Sequence, residues 1–286
     1  MGYLLAALLG GFFVFNSQAT PKKAEKIAVS ALQKRFPGAQ VDVAIEGKRG
    51  LNVVRGKFTK VRVTLAHFGT LSELPLQVSD GQQMRKSGGK KRAPSEGRVG
   101  LLELQLRDFL WNDLRVDAAD LTFRDVVFDR DLLKRQGRIS LISSGPATAH
   151  LTIPAASLEA LMRSRLKDVQ EARLTLQNGQ VSVVGKRPAP LVGVLVPFTL
   201  TANLATRNGN EIWLDEPQVK VGDVPLLAAL TNSLVGDVNP VYVFDRAKKW
   251  PFLVQLTAVQ TVNNKLELTG NLTFGASPAA PAPTSP

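Results

Sequence analysis

Three turn signals constrain this chain more than any other feature. Asn178-Gly179 lies between Leu174 and Leu176 on one side and Val181 and Val183 on the other. Asn208-Gly209 separates Pro197 to Ala205 from Ile212 to Leu214, and Asn263-Asn264 separates Phe252 to Val262 from Lys265 to Phe274. Asn and Gly accept the positive φ that a two-residue hairpin turn demands. Alternation of apolar and polar residues with period two sends one face of a strand into a core and the other into water. The C-terminal half therefore reads as successive antiparallel hairpins.

The same alternation runs upstream through Val41, Val43 and Ile45, through Val61, Val63 and Leu65, through Leu74, Leu76 and Val78, and through Leu102, Leu104 and Leu106. It continues in Leu121, Phe123, Ile139, Leu141, Ala149 and Leu151. Helical signals are fewer. Thr20 and Pro21 suit the N-cap and first position of a helix whose apolar face carries Ile27, Ala28, Ala31 and Leu32 and which ends near Phe36, before Pro37-Gly38. Pro154 suits the first turn of a second, with Leu158, Leu161, Met162 and Leu166 on one stripe. Pro225 to Leu234 reads as a third, short and almost wholly apolar, with Leu226, Leu227 and Leu230 on one side. The expected fold is α+β: one long, curved antiparallel sheet of hairpins with a few helices packed on one face.

The ends are of another kind. Tyr3 to Phe15 is an unbroken run of apolar residues and Gly, of signal-peptide length and short of the roughly 20 residues a spanning helix needs. Ser17 and Ala19 are the small residues of a cleavage site, so residues 1–19 read as a signal peptide, or as an N-terminal anchor if left uncleaved, and 20–275 as one domain. No Lys or Arg precedes the apolar run, whereas Lys22, Lys23 and Lys26 follow it. The Ala/Pro/Ser tail 276–286 is too poor in large apolar groups to fold and reads as disordered.

The formal charge of +12 favours an anionic partner. Part of it lies in 80–97, read as a flexible basic loop whose Arg85, Lys86, Lys90, Lys91 and Arg92 suit anionic headgroups. Nucleic acid is disfavoured, because the other cations are spread along the chain, Trp111, Trp213 and Trp250 lie far apart, and no stacking or groove-reading motif occurs.

Chemistry is hard to find. The absence of cysteine removes disulfides, thiolate metal sites, a Cys nucleophile and a lipidated Cys together. No G-x-S-x-G elbow, phosphate loop, dinucleotide fingerprint or H-E-x-x-H occurs. His67 and His150, the two histidines, read as structural residues at strand ends. Asp108, Asp113, Asp117, Asp120, Asp125, Asp129 and Asp131 are interleaved with Arg107, Arg115, Arg124 and Arg130 and lack calcium-loop spacing, so they read as a salt-bridged, solvated sheet face. The expectation is a non-enzymatic protein with no cofactor and no metal.

The order of several landmarks carries a resemblance. An early helix and the strand Val41 to Ile45 precede the helix-bearing segment Ile153-Pro154-Ala155-Ala156-Ser157-Leu158-Glu159-Ala160-Leu161 and the hairpin Leu174 to Val184. Val224-Pro225-Leu226, Asn239-Pro240 and Trp250-Pro251-Phe252 follow. From Lys26 to Phe274 the chain resembles the LmeA-like phospholipid-binding family of bacterial envelope proteins, itself similar to the tubular lipid-binding proteins. The resemblance implies an exported or membrane-anchored protein that holds a phospholipid in an apolar groove. Acyl chains would then meet Leu158, Leu161, Met162, Phe198, Leu200, Leu226, Leu227 and Leu230. From composition alone the same residues serve equally to fill an ordinary core, which leaves a structural or tethering envelope protein as the alternative.

Overall fold

The computed structural model describes residues 20–47, 51–69, 95–111, 114–130, 141–165, 169–188, 194–227, 231, 235–236, 238–244 and 253–273. The apolar N-terminus, the strand expected at Leu74 to Val78, residues 80–94 of the basic loop with all five of its named cations, Ile139, Leu230, Trp250 and the tail lie outside them.

Helix α1 spans Pro21–Arg35 and starts as its sequence requires, with the Thr20 side chain accepting from the Lys23 N–H and Pro21 in the first turn. Its buried stripe is Ala24, Ala28 and Leu32. Small residues let it lie close on β1 (Gln40–Glu46), where Glu25 Oε1 accepts from the Ile45 N–H at 2.9 Å and so satisfies an edge-strand donor. A single helical turn at Leu51–Val54 leads to β2 (Lys57–Phe68), followed by β3 (Glu96–Trp111), β4 (Leu114–Asp129), β5 (Leu141–Ser143) and β6 (Ala147–Pro154). Helix α2 (Ala155–Arg165) separates these from β7 (Gln170–Gln177), β8 (Gln180–Pro188), β9 (Leu195–Arg207), β10 (Glu211–Val221), β11 (Val224–Pro225) and β12 (Tyr242–Val243). The final hairpin is β13 (Leu253–Val262) and β14 (Lys265–Thr273).

Among the described residues the strands form two sheets where one was expected. The first follows β1-β2-β3-β4-β6-β14-β13 with β5 beside β4, and the second follows β11-β10-β9-β8-β7 with β12 beside β10. A further departure is the parallel pairing of β2 with β3. Alternation marks a half-buried strand without telling its direction, and the long segment between these two strands is what permits a parallel return. The basic loop also ends sooner than expected, since Glu96 and Gly97 already stand in β3, where Gly97 leaves room for the Phe128 ring of the facing strand. The start of the third helix is corrected too: Val224 and Pro225 pair with β10 and Leu226 and Leu227 are not helical, whereas Thr231, whose N–H donates to the Leu227 carbonyl, is helical; 228–230 and 232–234 lie outside the described residues. Pro225 has no N–H to lose at a strand edge, so it fits there as well as in a first turn.

The expected hairpins are present. Asn178, Asn208, Asn263 and Asn264 adopt φ of 51–53° or, for Asn264, 58°, with Gly179 and Gly209 following in the left-handed region. The apolar faces of both sheets join in one hydrophobic core. Side chains and turns tie them: Leu256 N–H donates to the Gly209 carbonyl (2.6 Å), Gly179 N–H to Thr261 Oγ1 (2.7 Å) and Leu176 N–H to Asn264 Oδ1 (2.9 Å). Among the described residues no helix is long and apolar enough to cross a membrane.

Candidate functional site

The apolar face of the first sheet is built of rows that cross its strands. In one row Leu121 pairs with Ala149, Ala149 with Gly270, and Gly270 with Leu256. The rows on either side hold larger pairs, Leu151 with Leu268 and Ala147 with Leu272. Two small residues side by side thus leave a depression in a floor of leucines. Gly270 is required for a second reason: a Cβ there would lie 2.8 Å from the Gln255 carbonyl oxygen, so only glycine lets β13 lie this close, beside the register shift between Leu256 and Ala258.

Trp111, Phe244 and Val254 wall this depression into a crevice of about 320 Å³, counting the space that opens to solvent. It is narrow, with room between its walls for about one water molecule. Trp111 ends an aromatic series, Phe36 to Phe68 at 5.4 Å, Phe68 stacked on Phe109 at 5.1 Å and Phe109 to Trp111 at 6.2 Å between ring centroids. Phe244 packs edge-on to Tyr242 at 4.9 Å and is held to β10 through its N–H, which donates to the Asn210 carbonyl at 2.8 Å. The adjoining Asn239 amide clasps Leu214, accepting from its N–H at 2.8 Å and donating to its carbonyl at 2.9 Å.

Apart from the indole N–H of Trp111, no lining side chain carries a polar group. Several of the charges pair on the opposite face of the same sheet, as the Asp/Arg pattern led us to expect: Arg107 bridges Asp120 (2.6 Å), Arg115 bridges Asp108 (2.6 Å) and Lys265 bridges Asp117 (2.8 Å); Asp129, expected on that solvated face, is instead buried, and Asp113 and Asp131 lie outside the described residues. Hydrogen bonds from His67 and then Arg115 hold the Asp108 carboxyl below its ordinary pKa, and Lys60 and then Arg62 do the same for Glu103. His67 sits at a strand end as expected, its Nδ1 2.9 Å from Asp108 Oδ2, whereas His150 stands in the middle of β6 and not at its end, with Nδ1 3.3 Å from Thr269 Oγ1. Among the described residues no group of His, Cys, Asp and Glu is placed to hold a metal ion. The crevice has no nucleophile, acid, base or ligand atom in its side chains. It can exclude water from an apolar group and do little else.

The residues expected to meet acyl chains fall into two places. Leu158 and Met162 are buried between α2 and the sheets, with Leu161 half-buried beside them. Arg163 and Glu159 fasten this helix to β7: the guanidinium donates to the Ala172 carbonyl, and Glu159 accepts from the Leu174 N–H at 2.9 Å. Phe198, Leu200, Leu226 and Leu227 gather at one end of the second sheet, where Leu200 pairs with Val219 and Leu226 N–H donates to the Val219 carbonyl. Leu200 is buried, Phe198 and Leu226 are partly buried against the core, and Leu227 is 76% exposed. None of these lines the crevice between Trp111 and Phe244. That site was not singled out because Ala149 and Gly270 read as unremarkable strand residues until pairing sets them opposite each other.

A family model described as LmeA-like phospholipid-binding matches residues 96–271 of the chain. The match takes in β3 to β14 and every crevice residue except Leu272, and it leaves α1, β1 and β2 outside. No curated protein and no solved structure matches.

Proposed function

The chain belongs to the LmeA-like phospholipid-binding family, and from that premise we propose that it holds a phospholipid by an acyl chain in the crevice between Trp111 and Phe244, without chemical turnover, in the bacterial cell envelope. The observation that carries this reading is the almost wholly apolar lining of the crevice, all but Leu272 inside the matched segment. Such a lining selects a hydrocarbon chain and leaves the polar headgroup in water, so headgroup identity matters little to it. Magnitudes add a condition. Micromolar binding corresponds to about 8 kcal/mol, or roughly ten methylenes buried at ~0.8 kcal/mol each. A crevice with room for about one water does not hold ten methylenes, so uptake requires Trp111, Phe244 or both to swing aside.

Mass spectrometry of protein purified without detergent, under native and then denaturing conditions, tests the proposal. A stoichiometric phospholipid adduct is expected that disappears on denaturation. Ala149→Phe places an aromatic ring in the floor of the crevice and should abolish the adduct while circular dichroism shows the sheets intact; an undiminished adduct would put the lipid elsewhere. The narrowness of the crevice favours a second reading, a structural envelope protein with a filled core and a C-terminal spacer. A clean apo mass together with failure to take up lipid from vesicles would select it.

A further inference from the structure

The chain has two Asn-Gly steps, Asn178-Gly179 and Asn208-Gly209, alike in shape and different in bonding. Both asparagines are exposed at hairpin turns, with φ of 52° and 53°, and the glycines follow at 79° and 69°. What differs is the glycine nitrogen. Gly179 N–H donates to Thr261 Oγ1 of β13 at 2.7 Å. Among the described residues Gly209 N–H has no acceptor, and the Asn208 side chain has no partner. The second turn is closed by Asn210 N–H, which donates to the Arg207 carbonyl at 3.2 Å, and is tied to β13 through the Gly209 carbonyl, which belongs to the next peptide.

That nitrogen is a nucleophile within reach of the preceding side chain, and glycine has no Cβ to crowd its approach. Once base removes its proton, Gly209 N attacks Asn208 Cγ, the new N–Cγ bond forms, and Nδ2 leaves as ammonia with the proton returned to it. The resulting succinimide is opened by water. Addition at the Cγ carbonyl gives aspartate, whereas addition at the main-chain carbonyl leaves the chain running through Cβ as isoaspartate. No oxidant or reductant enters. At Asn178 the same attack must first break the bond that holds the Gly179 proton on Thr261.

We infer that Asn208, and not Asn178, is a site of spontaneous deamidation, and that its conversion to isoaspartate unfastens a wall of the crevice. Isoaspartate adds one methylene to the main chain of a two-residue turn whose geometry has no place for it. The Gly209 carbonyl, 2.6 Å from Leu256 N, and the Asn210 carbonyl, 2.8 Å from Phe244 N, move with that turn. Leu256 and Phe244 both line the crevice. Deamidation to aspartate keeps the backbone path and both bonds. The inference does not depend on what the crevice holds.

Peptide mapping by mass spectrometry of the full chain, aged at mildly alkaline pH and with aspartyl and isoaspartyl peptides separated, tests the site. Asn208 should convert roughly fivefold faster than Asn178, the factor one ordinary hydrogen bond supplies. Thr261→Val removes the acceptor and should raise the Asn178 rate to about that of Asn208, while Thr261→Ser should keep it slow. Equal rates in the wild type, a faster Asn178, or an Asn178 rate indifferent to Thr261→Val would overturn the assignment. Hydrogen exchange tests the consequence: the isoaspartyl fraction should lose protection at the Leu256 and Phe244 amides, and Asn208→Asp should keep it. Full protection in the isoaspartyl fraction would sever the link to the crevice.

Discussion

The two ends of the second sheet are built to opposite rules. At the hairpin end, Gly209, Asn210 and Asn239 bond to Leu256, Phe244 and Leu214, and the turn is sewn to the first sheet. At the other end Val194, Val224 and Leu227 stand in solvent. Backbone donors are satisfied across the two sheets at the first end, while at the second these aliphatic side chains remain in solvent. The contrast teaches that tertiary bonding is concentrated at one end of these strands, so that mutations at the two ends should differ in their cost to stability.

The largest expected effect is at the sewn end. Gly270→Ala sets a methyl against the Gln255 carbonyl at 2.8 Å and forces β13 away from β14, which should cost about 2–3 kcal/mol in urea unfolding and collapse the crevice with it. Asn239→Ala removes both partners of the Leu214 backbone and should cost about 2 kcal/mol by the same measurement. Leu227→Ser at the free end should change stability by no more than about 0.5 kcal/mol. If it destabilises as much as Asn239→Ala, the free end is part of the core and the contrast fails.

The smallest effect belongs to the charged face. Folded-state pKa values of Asp108 and Glu103 lie below their ordinary values, so both contribute stability above the ordinary carboxylate range and lose it as pH falls through the depressed values. The melting temperature of Asp108→Asn/Glu103→Gln should therefore fall less between pH 5 and pH 3 than that of wild type. An equal fall would mean that these bridges are screened away by water and salt.

Much of this architecture was legible in the residues. Thr20-Pro21 set the start of α1, the three Asn-led turns set their hairpins, and Leu158 and Met162 marked the buried stripe of α2. The interleaved Asp and Arg residues announced a solvated face, since charges at period two cannot enter a core unpaired. Less legible was the segment after Val224, where apolar content without periodicity suits a helix and a strand equally, and where pairing with β10 decided for the strand at Val224–Pro225.

By itself the sequence determined the strands, their hairpins and which face of each is apolar, because turn chemistry and period are local properties. Only the tertiary structure decided that the strands form two sheets, that β2 runs parallel to β3, and that Ala149 meets Gly270 under Trp111 and Phe244. These depend on which strands become neighbours, a choice made by long-range packing that no single segment encodes.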